Sequence, residues 1–187
     1  MKILIDPGHG ITTPGKQSPD GSLREWALNR TLAAEIVRLA KGAELDCSLL
    51  FDSEADVPLR ERIRLVNGHP AGSTILVSVH ANAAGNGAQW HGARGFCAFA
   101  GTRSGATSRR LAALLMKEAA DAGLAGNRAI PPEGYWTANF AMCNRTNCPA
   151  VLTENLFMDN REDLALLKNP ATITLLAQIH LRALLKI

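Results

Sequence analysis

The stretch Ser73-Thr-Ile-Leu-Val-Ser-Val-His-Ala-Asn-Ala83 decides the fold. Ile75, Leu76, Val77 and Val79 form an almost unbroken run of bulky, mostly β-branched side chains, too short for a helix of its own and suited to a strand covered on both faces. Ala83-Ala-Gly-Asn-Gly87 is a turn-forming loop, so the run reads as a central strand with His80 at its carboxyl edge. In open α/β sheets that edge is where the following loops leave a crevice for ligands and chemistry. A histidine on a core strand is more often a satisfied structural residue, and two other strands decide which reading applies here.

The first of these is Lys2 to Asp6, broken by Pro7-Gly8 with His9-Gly10 at its carboxyl end; the other is Ala150-Val-Leu-Thr-Glu154, which closes on a carboxylate. A carboxylate at the end of an apolar run is costly unless it is paired or near a metal. Between them, Leu28, Leu32, Ile36 and Leu39 fall at helical spacing within Leu23 to Lys41, with Ser22 as N-cap and Gly42 as stop. Glu25 is then either the partner in a capping box or a carboxylate aimed back at the sheet edge. Leu45 to Phe51 reads as a strand. Val57 to Asn67 reads as a short helix with Leu59, Ile63 and Val66 inward and its arginines on a solvated face. Gly95 to Ala100 gives another strand, Ser104 to Ala122 another helix, and Ala125 to Asn139 a loop. Arg161 to Lys168 and Ala171 to Ile187 form two amphipathic helices, the second carrying His180 as a structural residue. Strands alternating with helices predict βαβ units and a largely parallel sheet, the α/β class.

The 187 residues, 47% of them hydrophobic, fit one domain spanning 1–187 with a full core. No apolar run reaches the roughly 18 residues needed to cross a bilayer, and the N-terminus lacks the length of a signal peptide. Synthesis in the cytoplasm without membrane insertion is the expectation. The net charge of +3 is scattered and only 5% of residues are aromatic, which speaks against a nucleic-acid partner while suiting an anionic polymer such as a cell wall. The four cysteines, Cys47, Cys97, Cys143 and Cys148, show no Cys-x-x-Cys spacing and read as free structural thiols, with a Cys143–Cys148 bridge in an oxidising space as the alternative.

If the strands ending at Asp6, His80 and Glu154 run the same way, His9, His80 and Glu154 meet at one edge, and the loop before Glu25 can return that residue to the same place. Two imidazoles and one carboxylate with an open position are the ligand set of a catalytic zinc site. A further carboxylate beside it is what is needed to take a proton from water.

Ile5-Asp-Pro-Gly-His-Gly10, Glu25 in the next helix, Arg62 and Asn67, Ser78-Val-His-Ala-Asn-Ala83, Asn144-Arg-Thr146, and Pro149-Ala-Val-Leu-Thr-Glu154 with Phe157 and Asn160 together resemble the zinc-dependent N-acetylmuramoyl-L-alanine amidases, in the same order over nearly the whole chain. The resemblance implies a twisted, mostly parallel mixed sheet of about six strands with helices on both faces. It implies His9, Glu25 and His80 as ligands of one Zn²⁺, Glu154 as the catalytic carboxylate, and peptidoglycan as substrate, cut between N-acetylmuramic acid and the L-alanine of the stem peptide. Asp6 or Asn82 is expected to orient a ligand imidazole, and Asn82, Arg128 and Arg145 to contact substrate. Leu156 and Ile11 stand where the family commonly has glycine. A monomer of endolysin type is expected, acting at the wall after phage-type release or non-classical export. The alternatives are a zinc carboxypeptidase- or aminopeptidase-like enzyme and a non-catalytic wall-binding module.

Overall fold

Strand β1 (Lys2–Pro7) and strand β3 (Thr74–Asn82) pair in parallel over their whole common length, with Ile5 opposite Val77 and Pro7 opposite Val79. The computed structural model describes residues 1–187. Around this pair a six-stranded sheet is completed by β2 (Cys47–Leu49), β4 (Cys97–Gly101), β5 (Trp136–Ala138) and β6 (Ala150–Phe157), in the order β2-β1-β3-β6-β4-β5. All neighbours are parallel except β4 and β6, so the sheet is mixed. β1, β3 and β6 are adjacent and co-directional, and their carboxyl ends share one edge.

The helices are α1 (Glu25–Gly42), α2 (Leu59–Asn67), α3 (Ala106–Asp121), α4 (Ala141–Asn144), α5 (Arg161–Leu167) and α6 (Pro170–Leu184). Because strand side chains alternate, Ile3, Ile5, Ile75, Val77, Ala98 and Val151 enter the main core beneath α1, α3 and α6, whereas Leu4, Leu76 and Ala150 meet Val66 and Met142 of α2 and α4 on the opposite face. The expected two-sided burial of the central run holds. Of two short elements, β5 lies in the stretch the sequence reads as loop and α4 just beyond it; neither is long enough to show a period.

β6 runs on past Glu154. His80 pairs with Glu154 and Asn82 with Phe157, so β6 spends one residue more than β3 between those points, a β-bulge. Leu156 sits in it at φ 68° with a fully buried side chain. The left-handed region costs a leucine about 1–2 kcal/mol, a cost that glycine, lacking Cβ, does not carry. Leu156→Ala keeps that strain and loses the burial, whereas Leu156→Gly loses the burial and relieves the strain. Urea denaturation is therefore expected to rank glycine above alanine by about 1 kcal/mol, the reverse of the usual order. An alanine variant more stable than the glycine one would contradict the strain assignment.

His180, structural as expected, is buried in α6, its Nδ1 donating to the Leu176 carbonyl (2.8 Å) and its Nε2 facing Thr153 Oγ1 (3.1 Å). Burial pushes its pKa down to about 4 from 6.5. The unfolded chain thus binds a proton below pH 6.5 that the folded chain refuses until about pH 4, and stability falls as pH drops through that window. Between pH 7 and pH 5 this residue is expected to remove about 2 kcal/mol, read as the difference in denaturation midpoints between wild type and His180→Gln at the two pH values. Equal pH losses in both proteins would show that His180 is not responsible.

Candidate metal centre

The centre starts at the loop after β1. Gly8 donates its N–H to the Val79 carbonyl (2.9 Å), and a Cβ built on it would lie 2.2 Å from the His80 ring, so only glycine lets this backbone pass the imidazole. His9 follows at φ 62°, a left-handed turn that brings its ring to 4.9 Å from that of His80, nearly perpendicular. A Cβ on Gly10 would strike the Asp56 backbone at 2.2 Å.

Glu25 closes the group. α1 begins at this residue with no side-chain cap; Ser22 instead bonds Asp20, while the Glu25 N–H goes to the Lys16 carbonyl (2.9 Å) and Gln17 bridges to Arg24. The capping-box reading of Glu25 is thereby overturned, because the preceding loop doubles back as a small hairpin. The buried carboxylate sits between the imidazoles, Oε2 at 3.2 Å from His9 Nε2 and Oε1 at 3.1 Å from His80 Nδ1, and it accepts the Ala81 N–H (3.2 Å). Burial alone would raise its pKa; the hydrogen bonds from His80 and His9 outweigh burial and hold it well below the usual range. Burial also opposes a charge on His80, but Glu25 raises its pKa above the ordinary value. Ligand atoms of His9, Glu25 and His80 all lie within 4.8 Å of one another.

Glu154 stands beside His80 in register and lines the same cleft of about 530 Å³ with Asn82, Phe140 and Leu152. Its Oε2 is buried with no hydrogen-bond partner, and burial pushes its pKa up to about 7 against the pull of His80. Two imidazoles and a carboxylate within a few ångströms, with an unpaired carboxylate oxygen next to them, fit a tetrahedral cation site that keeps one position free. Glu35, the other carboxylate of α1, pairs with Arg38 on the surface.

Two positioning residues escaped the sequence reading. Arg62 is not on a solvated face: it is buried, and its five N–H groups reach Val57 O (2.8 Å), Asp6 Oδ1 (3.0 Å), Pro7 O (2.9 Å), His9 O (3.1 Å) and Asp56 Oδ1 (3.1 Å). Asp6 spends its other oxygen on the Ser78 hydroxyl (2.6 Å). Neither Asp6 nor Asn82 therefore orients an imidazole, contrary to expectation; Asn82 bonds the Ala83 N–H (2.9 Å) and nears Cys97 Sγ (4.0 Å). The second residue is Asn29, whose Nδ2 links Gly8 O (3.2 Å) to Glu25 Oε1 (3.4 Å). Its spacing of four from Glu25 on one helix face was the available signal. Leu59, expected inward, is exposed. Neither Arg145, exposed at the carboxyl end of α4, nor Arg128 lines the cleft itself; Arg128 lies against Trp136 (4.8 Å) and Phe157 (5.9 Å). All four cysteines are buried and free.

A mixed α/β sheet that gathers two imidazoles and two carboxylates along one edge has the architecture of a hydrolase catalytic domain with room for one metal ion. A family model described as N-acetylmuramoyl-L-alanine amidase matches residues 3–186, and the chain belongs to that family. It is 29% identical to the endolysin of Bacillus phage SPP1 over 99% of its own length and 65% of that protein's, and thus spans just under two thirds of this relative. It is 30% identical to the sporulation-specific N-acetylmuramoyl-L-alanine amidase of Bacillus subtilis strain 168, covering 98% of the chain and 67% of the relative. The solved catalytic domain of CwlV, an N-acetylmuramoyl-L-alanine amidase from Bacillus (Paenibacillus) polymyxa var. colistinus, superposes with a TM-score of 0.81 at 23% identity over 100% of this chain and 97% of that one, a likeness of fold.

Proposed function

We propose that this chain hydrolyses the amide joining the lactyl group of N-acetylmuramic acid to L-alanine in peptidoglycan, as a monomer at the cell wall, with one zinc ion held by His9, Glu25 and His80. The observation that carries the reading is the convergence of those three side chains within 4.8 Å beside the unpartnered Oε2 of Glu154. When bound, zinc supplies Lewis acidity, polarising the amide carbonyl and lowering the pKa of a water toward about 7. Glu154 accepts the proton that water loses and hands it to the leaving amine of L-alanine, a transfer suited to a carboxyl whose pKa burial has pushed up to about 7. Arg62 and Asn29 hold the backbone that presents His9, and Asn29 also bonds the Glu25 carboxylate, so the ligands need little rearrangement. No helix is long and apolar enough to cross a membrane.

Mass spectrometry of purified peptidoglycan digested with and without a zinc chelator tests this. The expected products are stem peptides with a free L-alanine amino group, lost with chelator and restored by Zn²⁺. Cuts between stem amino acids would replace the reading by a peptidase, and wall binding with no released product would replace it by a binding module.

A further inference from the structure

The half of the sheet beyond Glu154 carries a second feature. Register places Cys97 opposite Glu154, Phe99 opposite Leu152 and Trp136 opposite Phe99, so these side chains share the face that holds the catalytic edge. Phe99 and Trp136 stay partly exposed there, whereas Ala98 and Ala100, on the opposite face, are buried in the main core. Phe140, at the cleft wall, meets Phe99 edge-on at 5.3 Å, and Phe99 meets Trp136 at 5.9 Å. An aromatic floor thus runs from the candidate metal centre across β4 to β5.

Arg128 ends that floor. Its guanidinium lies 4.8 Å from the Trp136 ring centroid and 5.9 Å from that of Phe157, and Nη1 donates to Cys97 Sγ at 3.2 Å. A thiol is a weak, uncharged acceptor, and Arg128 takes part in none of the chain's ion pairs. Stacking fixes the plane of the fork while its charge and remaining donors stay free, the arrangement that receives a carboxylate bidentately.

We infer that Arg128 and the aromatic floor of Phe99, Trp136 and Phe140 form the subsite for the leaving peptide, with Arg128 binding one of its free carboxylates. This rests on the amidase reading. In the bond to be cut, the lactyl carboxyl is tied up in the amide, so the sugar next to it brings no anion and the carboxylate must come from the peptide. The enzyme is thereby selective for stem peptides with free acid groups over amidated ones.

The test uses zinc-loaded wild type, R128Q and R128K with two muramoyl peptides that differ only in having free carboxyl or carboxamide groups on the peptide. A charge-assisted pair of this kind is worth roughly 10–10²-fold, so wild type is expected to favour the acid by that factor in kcat/KM, through KM. R128Q removes the preference by raising KM for the acid alone. R128K, which retains the charge and gives up the planar fork, keeps only part of it and serves should R128Q fail to fold. An acid-to-amide ratio unchanged in both variants, with the muramoyl amide still cut, overturns this inference alone. Absence of L-alanine-initiated peptides from wild-type digests of both substrates overturns the amidase reading first, and this inference with it.

Discussion

Replacing Glu154 by glutamine is expected to slow hydrolysis of the muramoyl amide by roughly 10²–10⁴-fold while one zinc ion per chain stays bound. Glutamine keeps the shape of the side chain and loses the ability to take up and release a proton, so the loss falls on kcat, with KM little changed. Folding should not suffer. Oε2 makes no hydrogen bond in the folded chain, so the substitution removes no contact and relieves the burial of a carboxylate beside Glu25 and His80. The variant is therefore expected to unfold at or above the wild-type midpoint, a functional group kept at some cost in stability. Steady-state rates, metal content and a denaturation curve on the same preparation check all three statements. Near wild-type turnover in the glutamine variant would remove Glu154 from the mechanism.

Arg62→Ala should have the larger effect on stability. The substitution strands the Asp6 carboxylate, which is fully buried and left with only the Ser78 hydroxyl, and it unties the carbonyls of Pro7, His9 and Val57. Breaking a buried ion pair from one side costs about 3–5 kcal/mol. Because two of the lost bonds hold the loop that presents His9, zinc affinity is also expected to fall by roughly 10–10²-fold, measured by competition with a chromophoric chelator. Arg62→Lys keeps the charge beside Asp6 but cannot span five acceptors in one plane, so it should recover part of the stability and less of the affinity. If the alanine variant lost under about 1 kcal/mol and bound zinc normally, the hub role of Arg62 would be wrong.

The ranking of these effects follows from where the groups sit. Surface pairs such as Arg64 with Glu61 and Lys117 with Asp121 are exposed and worth roughly 0–1 kcal/mol each, so their removal should pass almost unnoticed. Altering Arg62 is costly in stability and altering Glu154 in rate, for opposite reasons: one satisfies every group around it, and the other is left unsatisfied where a reaction can use it.

How much of this was legible beforehand depended on the range of the interaction. The central run at Ile75–Val79 announced a strand buried on both faces, because burial leaves a local hydrophobic record. The strand ends at His80 and Glu154 placed one imidazole and one carboxylate at a common edge, and the turn after Asp6 added His9, since co-directional strands put their carboxyl ends together. The helix faces of α1, α3 and α6 were likewise written in apolar spacing. Local patterning could not say what Glu25 does, because a capping box and a hairpin that returns its carboxylate to the sheet place the same residue in the same first turn. Nor could it separate Arg62 from Arg60 and Arg64, three arginines on one short helix, of which only the middle one meets acceptors from β1 and the Asp56–Val57 loop. The left-handed Leu156, the short strand β5 and the free guanidinium of Arg128 belong to the same group. Their states are set by partners far away in sequence, and the energy of a hydrogen bond, a bulge or a stacked cation is decided only when those partners are brought within contact distance.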